Sequence, residues 1–397
     1  MRLCASPARI FRYATDCQKV GNHLVALPSA KRVWIGLAVL VLLLGAVIGF
    51  YFHRPPHTPP AAATAGTPVA PASPESPESP REVAQTVGVL NQLPGDAPAL
   101  AYIDVQSLRK FPGSPVAAIL GLTDPNATRD PDYQQFVRAT GFDYTRDLDR
   151  GAIALWPDGL GEAPQAAAND NRVFVVAEGR FDQNRIRAYV GKLGASQLKG
   201  TATIYEVPGT PPIAFEFLSP TRIALTSGSR SADLLIRPHS TTRDRAFQAR
   251  IDRVAGAPLF AVARTDKLPD SLYASLKNSP EIETLIRSIL GLTFTAQPQG
   301  GILKVALDGE ANSTKNALAI STLLEISRMG ASLALSDSKT TSQLTSGQAG
   351  FLDALLRQSR ISRQSRVVRI ALDVTPEMLG AAASAPSAPH TTVQNSK

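Results

Sequence analysis

The chain has 397 residues, with 41 Lys and Arg against 33 Asp and Glu and a formal net charge of +8. Much of the excess lies in residues 1–32, where six basic residues stand against Asp16 alone. From residue 83 onward, 33 basic residues stand against 29 acidic ones, so most of the chain is only mildly basic. Nucleic-acid binding usually needs a stronger and more clustered positive charge, so we expect no nucleic-acid partner.

Residues 33–52 form a run of twenty residues without a charge, a proline or an amide side chain. As a helix rising about 1.5 Å per residue, this run spans roughly 30 Å, the thickness of the hydrocarbon core of a bilayer. Trp34 and Tyr51 stand near its two ends, where amphipathic rings favour the membrane interface. The run therefore predicts a single N-terminal transmembrane helix.

The flanking charges orient this helix. The basic segment 1–32 precedes it, whereas Arg54 is the only charge between the helix and Glu75. The positive-inside rule then places the N-terminus in the cytoplasm and the bulk of the chain in the periplasm or outside the cell, anchored to the inner membrane. The apolar run is longer than the core of a cleaved signal peptide, which favours a retained signal anchor, although the alanines at 61–63 leave cleavage open.

Gly45 and Gly49 form a small-xxx-small pair within this predicted helix. Such pairs let two membrane helices approach closely, so this face is a candidate site for homodimerisation. Glycine is also common in membrane helices that do not pair.

A proline-rich tether at 53–84 follows the membrane segment, and it contains nine prolines between residues 54 and 81. Proline favours the extended polyproline II conformation at about 3.1 Å per residue, so the tether is a semi-rigid spacer of tens of ångströms. The C-terminal tail at 379–397 is poor in apolar residues, and we expect it to be disordered.

The first folded unit is predicted at 85–254. Turn residues precede a strand within 93–108, and helices are predicted at 114–120 and 130–140. In chain order there follow a strand at 152–156, a polar loop at 158–171, a central strand at 172–181, a helix after Asp182, strands at 201–207, 212–218 and 221–226, and helices near 230–237 and 242–254.

The second unit is predicted at 255–378, with a strand from 257, a long helical region at 270–290, a strand and helix at 303–324, a helix at 343–359 and a strand at 367–374. Its strand from Ala257 matches the strand from Ala97, and 303–324 matches 173–193 as strand, acid–Gly and amphipathic helix. We therefore expect an α+β fold with two related units and a largely antiparallel sheet. Generic strand–turn–helix chemistry would explain the same likeness without duplication.

The segments LPGDAPALAYIDV, TGFDYTRDLDR and VFVVAEGRFD resemble those of bacterial proteins of unknown function that carry one membrane anchor and an α+β extracytoplasmic domain. The resemblance covers about residues 90–230. It implies an envelope location and an α+β fold, and it implies no activity and no functional residue.

Few residues suited to catalysis follow the membrane segment. Both cysteines, Cys4 and Cys17, precede it, and the only histidine in the folded region is His239. We therefore expect no zinc site and no cofactor. Asp143, Asp147 and Asp149 cluster as a metal site would require, but arginines alternate with them, which favours ion pairs. Ser-x-x-Lys occurs at Ser107 and Ser336 without its companion motifs.

An arginine recurs at every third position near the C-terminal end of the fold, at Arg357, Arg360, Arg363, Arg366 and Arg369. Clustered arginine suits phosphate and carboxylate groups, so this row is a candidate surface for an envelope protein or an anionic polymer. A solvated surface is the simpler interpretation of the row, and the predicted strand at 367–374 would divide it between two faces.

We expect a non-catalytic, membrane-anchored binding or scaffold protein of the cell envelope. The alternative is an anchored hydrolase with a cleft between the two units.

Overall fold

The computed structural model describes residues 86–110, 131–156, 172–199, 203–208, 212–227, 231–236, 242–267, 280–336, 346–375 and 377–378. Within these residues the chain forms one 12-stranded sheet with helices on both faces. Every strand pair is antiparallel. The α+β fold class and the antiparallel sheet that the sequence predicts are confirmed.

The sheet order is β11-β12-β10-β9-β8-β1-β2-β3-β7-β6-β5-β4. The strands in chain order are β1 Ala99–Asp104, β2 Leu148–Trp156, β3 Arg172–Gly179, β4 Ser196–Lys199, β5 Thr203–Val207, β6 Ile213–Ser219, β7 Arg222–Ser227, β8 Leu259–Arg264, β9 Ile289–Gln299, β10 Ile302–Ala311, β11 Arg360–Gln364 and β12 Val367–Val374. Strands β1–β7 form one half of the sheet, and β8–β12 form the other.

The described helices begin with a short one at 86–90. The others in chain order are α1 Val105–Arg109, α2 Pro131–Thr140, α3 Tyr144–Asp147, α4 Gln183–Lys192, α5 Ser231–Ile236, α6 Arg245–Asp252, α7 Pro280–Arg287, α8 Thr314–Ser336 and α9 Ser346–Gln358, with a 3-10 turn at Thr265–Lys267. Asp104, Asp182 and Asp244 cap α1, α4 and α6 by accepting backbone N–H groups of the first turn.

Each face of the sheet buries a separate apolar core, because successive strand side chains point to opposite sides. On the face that α6 covers, here the α6 face, Phe247 and Ile251 pack with Tyr102 and Phe260. The rings of Tyr102 and Phe260 stack with centroids 5.2 Å apart. The opposite face, here the α8 face, carries three smaller cores beneath α1, α4 and α8.

The two halves meet where β1 pairs with β8 at the centre of the sheet. The register is symmetric about Ala101 and Ala261, which lie opposite each other, with Ala99 facing Ala263 and Ile103 facing Leu259. Ala101 and Ala261 are also the positions that the sequence match between the units predicts to be equivalent. The second unit therefore continues the sheet of the first across a local twofold arrangement.

The same correspondence extends outward through each half. Three antiparallel strands are followed by a helix on the α8 face, and the last strand of each half then pairs with the third. The acid of each acid–Gly pair faces an arginine on that last strand: Glu178 bonds Arg222 at 3.0 Å, and Asp308 bonds Arg369 at 2.7 Å. The halves differ in their number of strands, because β5 and β4 lie beyond β6 in the first half, whereas β11 is the last described strand of the second half.

Most predicted elements are confirmed, including the strands that became β1–β3, β5–β8, β10 and β12. The helical prediction at 270–290 is wrong at its end, since the described helix stops at Arg287 and β9 begins at Ile289. Strands β4, β9 and β11 were not predicted. The expected helix at 114–120 and loop at 158–171 lie outside the described residues, as do the tether and the tail.

The predicted transmembrane helix at 33–52, with Gly45 and Gly49, also lies outside the described residues. Within the part of the chain that the structure describes, no helix is both long and apolar enough to cross a membrane.

A glycine is required where β2 bulges against β3. The Asp147 carbonyl accepts the Arg180 N–H at 2.9 Å, and a Cβ at Gly179 would lie 2.3 Å from that carbonyl oxygen. We expect Gly179→Ala to lower the free energy of unfolding by about 1–3 kcal/mol, because backbone must shift to admit the methyl group. Urea unfolding of the detergent-solubilised protein measures this change.

Gly309→Ala is the matched control, since Gly309 occupies the corresponding position in the second half and its nearest side-chain atoms lie 3.8 Å away. We expect it to change stability by less than about 1 kcal/mol. Equal effects of the two substitutions would contradict the assignment.

Candidate partner-binding site

The structure distributes the predicted arginine row over three elements and a turn. Arg357 lies in the last turn of α9, Arg360 and Arg363 lie on β11, Arg366 lies in the turn and Arg369 lies on β12. Arg360 pairs in register with Ala371, two residues from Arg369, so the side chains of Arg360 and Arg369 lie on the same face of the sheet. Ile361 and Arg363 alternate with Arg360 along β11 and lie on the opposite face. The row is therefore divided between the two faces of the sheet, as the strand prediction implies.

Four of these arginines have a carboxylate of the same chain within reach. Arg369 forms a two-pronged ion pair with Asp308, and Arg360 bonds Asp373 at 2.8 Å. The other two pairs are Arg357–Asp353 at 3.0 Å and Arg366–Glu310 at 3.6 Å. Among the described residues Arg363 forms no ion pair, and its guanidinium reaches only the Ser365 carbonyl at 3.5 Å.

Helix α8 is apolar on two opposite sides. Its inner side buries Ala317 and Ile320 in the core beneath it. Its outer side exposes four large apolar side chains at helical spacing, with exposed fractions of 53% to 74%: Leu318, Ile326, Met329 and Leu333. A helix at the surface of a soluble domain usually carries polar residues on its outer side, so this stripe is the most conspicuous apolar surface feature of the described chain.

A groove of about 330 Å³ separates the outer side of α8 from β11. On the helix side it is lined by Ser321, Thr322, Glu325, Ile326 and Met329, and on the strand side by Ile361, Ser362 and Arg363. Glu325 is bonded to Arg328 at 2.8 Å, so its charge is compensated within α8. The groove thus has an apolar floor, and Arg363 lies at its rim. Arg363 lacks an ion-pair partner among the described residues.

Beside β11, no described segment pairs with the outer edge of the sheet, because β11 is the terminal strand. Four of its five residues are exposed, and Ile361 is half-buried. An edge strand presents free N–H and C=O groups, which a further strand can bind. The groove and the edge therefore form one continuous surface, here the α8–β11 surface.

A second cluster of charges lies around Glu310 on the α6 face. The buried Arg250 of α6 bonds Glu310 at 3.0 Å, and Arg253 and Arg366 approach the same carboxylate at 3.8 and 3.6 Å. Gly291 leaves room for this guanidinium, since a Cβ there would lie 2.6 Å from the Cζ of Arg250. Because α6 belongs to the first unit and β10 to the second, this ion pair joins the two units in addition to the sheet.

A buried polar network on the α6 face crosses four strands of the first half. Arg150 contacts Asp104 at 3.5 Å and Glu178 at 3.2 Å, and Glu178 also bonds Arg222. The opposite charges compensate one another, as buried ions require. Tyr102 lies beside this network, and burial raises the pKa of its hydroxyl to about 12, with Thr86 partly offsetting the shift. We interpret the network as structural, because it bridges β1, β2, β3 and β7.

The aspartate cluster at 143–149 is occupied by ion pairs. Arg146 and Arg180 contact the Asp147 carboxylate at 2.7 and 3.1 Å, and the backbone N–H of Asp143 donates to it at 3.0 Å. The hydrogen bonds from Arg146 hold the pKa of Asp147 below its usual value. Asp149 points towards Arg109 at 3.9 Å. Ion pairs thus compensate Asp147 and Asp149, but Arg146 is joined in this by Arg109 and Arg180 from other elements, while the neighbouring Arg150 contacts Asp104 and Glu178 instead.

Comparison with known proteins adds only distant likenesses. No family model matches the chain, and no curated protein matches it. Three crystal forms of TP0453 resemble the fold with TM-scores of 0.40, 0.36 and 0.39 at 8–9% sequence identity. These matches cover 74% of this chain and 95–96% of theirs. Likeness at this level carries no argument about function.

The raised pKa of Tyr102 predicts a loss of stability in alkali. The folded state retains the phenol proton more strongly than the unfolded state, so its contribution is complete below about pH 10 and declines as the pH rises through about 12. We expect wild type to lose about 2 kcal/mol relative to Tyr102→Phe between these values. Denaturant unfolding of both proteins across this range measures the difference, and parallel pH profiles would contradict the prediction.

Proposed function

We propose that this protein is a non-catalytic binding or scaffold protein of the cell envelope, anchored in the inner membrane by residues 33–52. In this proposal the segment before the anchor is cytoplasmic, and the folded domain is periplasmic or extracellular. The tether holds the domain away from the bilayer, and the α8–β11 surface binds another envelope component. A single membrane span and a semi-rigid spacer are typical of a domain that works at a set distance from its membrane.

The exposed stripe on α8 is the observation that carries the proposal. These four large apolar side chains are mostly exposed, and none of them belongs to the core cluster beneath the helix. Removing such side chains from water stabilises a complex by about 25 cal/mol for each Å² buried. Exposed apolar patches beside polar residues are typical of protein–protein interaction sites.

The alternative hydrolase, with a cleft between the two units, gains no support from the described residues. The units meet through continuous backbone pairing of β1 with β8, which leaves no gap in the sheet between them. Ser107 of the Ser-x-x-Lys motif lies in the five-residue helix α1, where its N–H is bound by the cap residue Asp104. His239 lies outside the described residues.

We further infer that the two units arose by duplication. The symmetric register of β1 and β8, the shared strand–helix order and the two equivalent acid–arginine pairs support this origin. The first half then retains or has gained two edge strands, β4 and β5, that the second half lacks among the described residues.

Site-specific photocrosslinking tests the binding surface. A benzoylphenylalanine at Met329 on α8 should crosslink to a distinct partner in membranes of cells that produce the full chain. The same group at Ile236 on α5 is the control, since both native side chains are 55% exposed. We expect the adduct at Met329 alone, and we expect Leu333→Glu to abolish it. Equal adducts at both positions, or an adduct insensitive to Leu333→Glu, would contradict the assignment.

Homodimerisation through the membrane helix remains a separate proposal. We expect Gly45→Ile with Gly49→Ile to reduce self-association in a membrane two-hybrid assay, because the bulky side chains prevent close helix approach. The matched control is Gly36→Ile, which lies outside the small-xxx-small pair. Unchanged self-association of the double variant would show that this face does not pair.

A further inference from the structure

We propose that the α8–β11 surface binds a β-strand of a partner protein that carries apolar residues and one acidic residue on the same face. The guest strand would add to the free edge of β11 and place its apolar side chains in the groove beside α8. This inference rests on the proposed binding function and names the chemistry of the partner.

The first half of the sheet shows what the corresponding position requires. There β6 is the counterpart of β11, because each pairs with the last strand of its half. Strand β5 covers the outer edge of β6, with Tyr205 opposite Phe215 and Val207 opposite Ile213. Tyr205 and Val207 are buried together with Ile186 and Val190 of α4. Strand β5 thus extends the sheet beneath this helix.

In the second half the same space is the open groove. Helix α8 corresponds to α4, since each follows the third strand of its half on the α8 face. No described strand lies outside β11, and Ile326 and Met329 therefore remain exposed at the groove, opposite the half-buried Ile361. Because no described strand corresponds to β5, the edge of β11 is free and the groove beside α8 is open within the described chain.

The charges at this edge select the guest. Strand β11 contains no acidic residue, and of its two arginines Arg360 is paired with Asp373 whereas Arg363 forms no ion pair among the described residues. Opposite charges on neighbouring strands stabilise a sheet by about 0.2–1 kcal/mol for each pair, and like charges destabilise it. An acidic residue is therefore favoured opposite Arg363, which forms no ion pair within the described chain and lies on the same face of β11 as Ile361 and the groove.

A second copy of this chain fits the edge less well. Pairing of two β11 strands would bring two Arg363 side chains to one face of the joined sheet and would supply no acidic residue from either strand. The chain's own tether is a poor guest as well, since its prolines lack the N–H that a strand ladder needs. The tail at 379–397 has no acidic residue and little apolar bulk.

A peptide-binding experiment with the full chain in detergent tests this inference. The probe is a fluorescein-labelled peptide in which one face of the strand carries Val, Tyr and a single Glu and the other face carries Thr, and its binding is followed by fluorescence anisotropy. One control peptide carries Lys in place of Glu. A second keeps the sequence but has N-methyl groups on alternate backbone nitrogens, which removes the donors needed for strand pairing.

We expect the acidic peptide to bind and both control peptides to bind at least about tenfold more weakly, a difference of about 1.4 kcal/mol. Arg363→Glu should weaken binding of the acidic peptide by a similar factor, and so should Met329→Glu in the groove. Gln197→Glu makes the same change of charge as Met329→Glu on the exposed strand at the other end of the sheet, β4, and should leave binding unchanged.

Three outcomes would overturn the inference. Equal binding of the N-methylated peptide would indicate electrostatic adsorption without strand addition. Undiminished binding of the acidic peptide to the Arg363→Glu variant would show that Arg363 does not select an acidic guest. A dimer in analytical ultracentrifugation that Ser362→Pro dissociates would identify a second copy as the occupant. If the peptide fails while the Met329 photocrosslink persists, strand addition is wrong and the binding function stands; if both fail, the proposed function fails too.

Discussion

The pairing of β1 with β8 is the constraint on which the rest of the structure depends. These two strands join the halves at the centre of the sheet, and their register is symmetric about Ala101 and Ala261. Each half therefore grows outward from the same line with the same alternation of faces, so that α4 and α8 lie on one face. The ion pair between Arg250 and Glu310 reinforces this junction from the other face.

The two halves of the sheet match at the centre but differ at their outer edges. The half that begins with β1 ends in β5 and β4, whereas the half that begins with β8 ends at β11. Buried cations elsewhere are paired, such as Arg150 with Glu178. At the β11 edge, by contrast, apolar side chains of α8 and the cation Arg363 lack such partners within the described chain. A binding surface is expected where a fold leaves large apolar side chains exposed beside polar ones.

Much of the fold could be predicted from local pattern, and the failures have identifiable causes. Strands such as β3 have a continuous apolar run, and helices such as α4 begin at an aspartate cap, so both are visible in sequence. Strand β9 was missed because Gly291 and Pro298 interrupt its pattern and a strongly amphipathic helix directly precedes it. Strand β11 was missed because its exposed, arginine-rich sequence has no apolar alternation; only its pairing with β12 makes it a strand.

The sequence by itself determined the α+β class and the arginine row and predicts an anchor and a tether, because hydrophobic runs, proline content and charge spacing are local properties. Only the tertiary structure decided that Arg360, Arg366 and Arg369 are matched by carboxylates and that Arg363 is not, since these carboxylates lie on other strands. The pair of Arg357 with Asp353 is local, four residues apart on α9. The groove was likewise invisible in sequence. It exists because β11 ends the sheet beside α8, and the position of an edge follows from strand pairing across the whole chain.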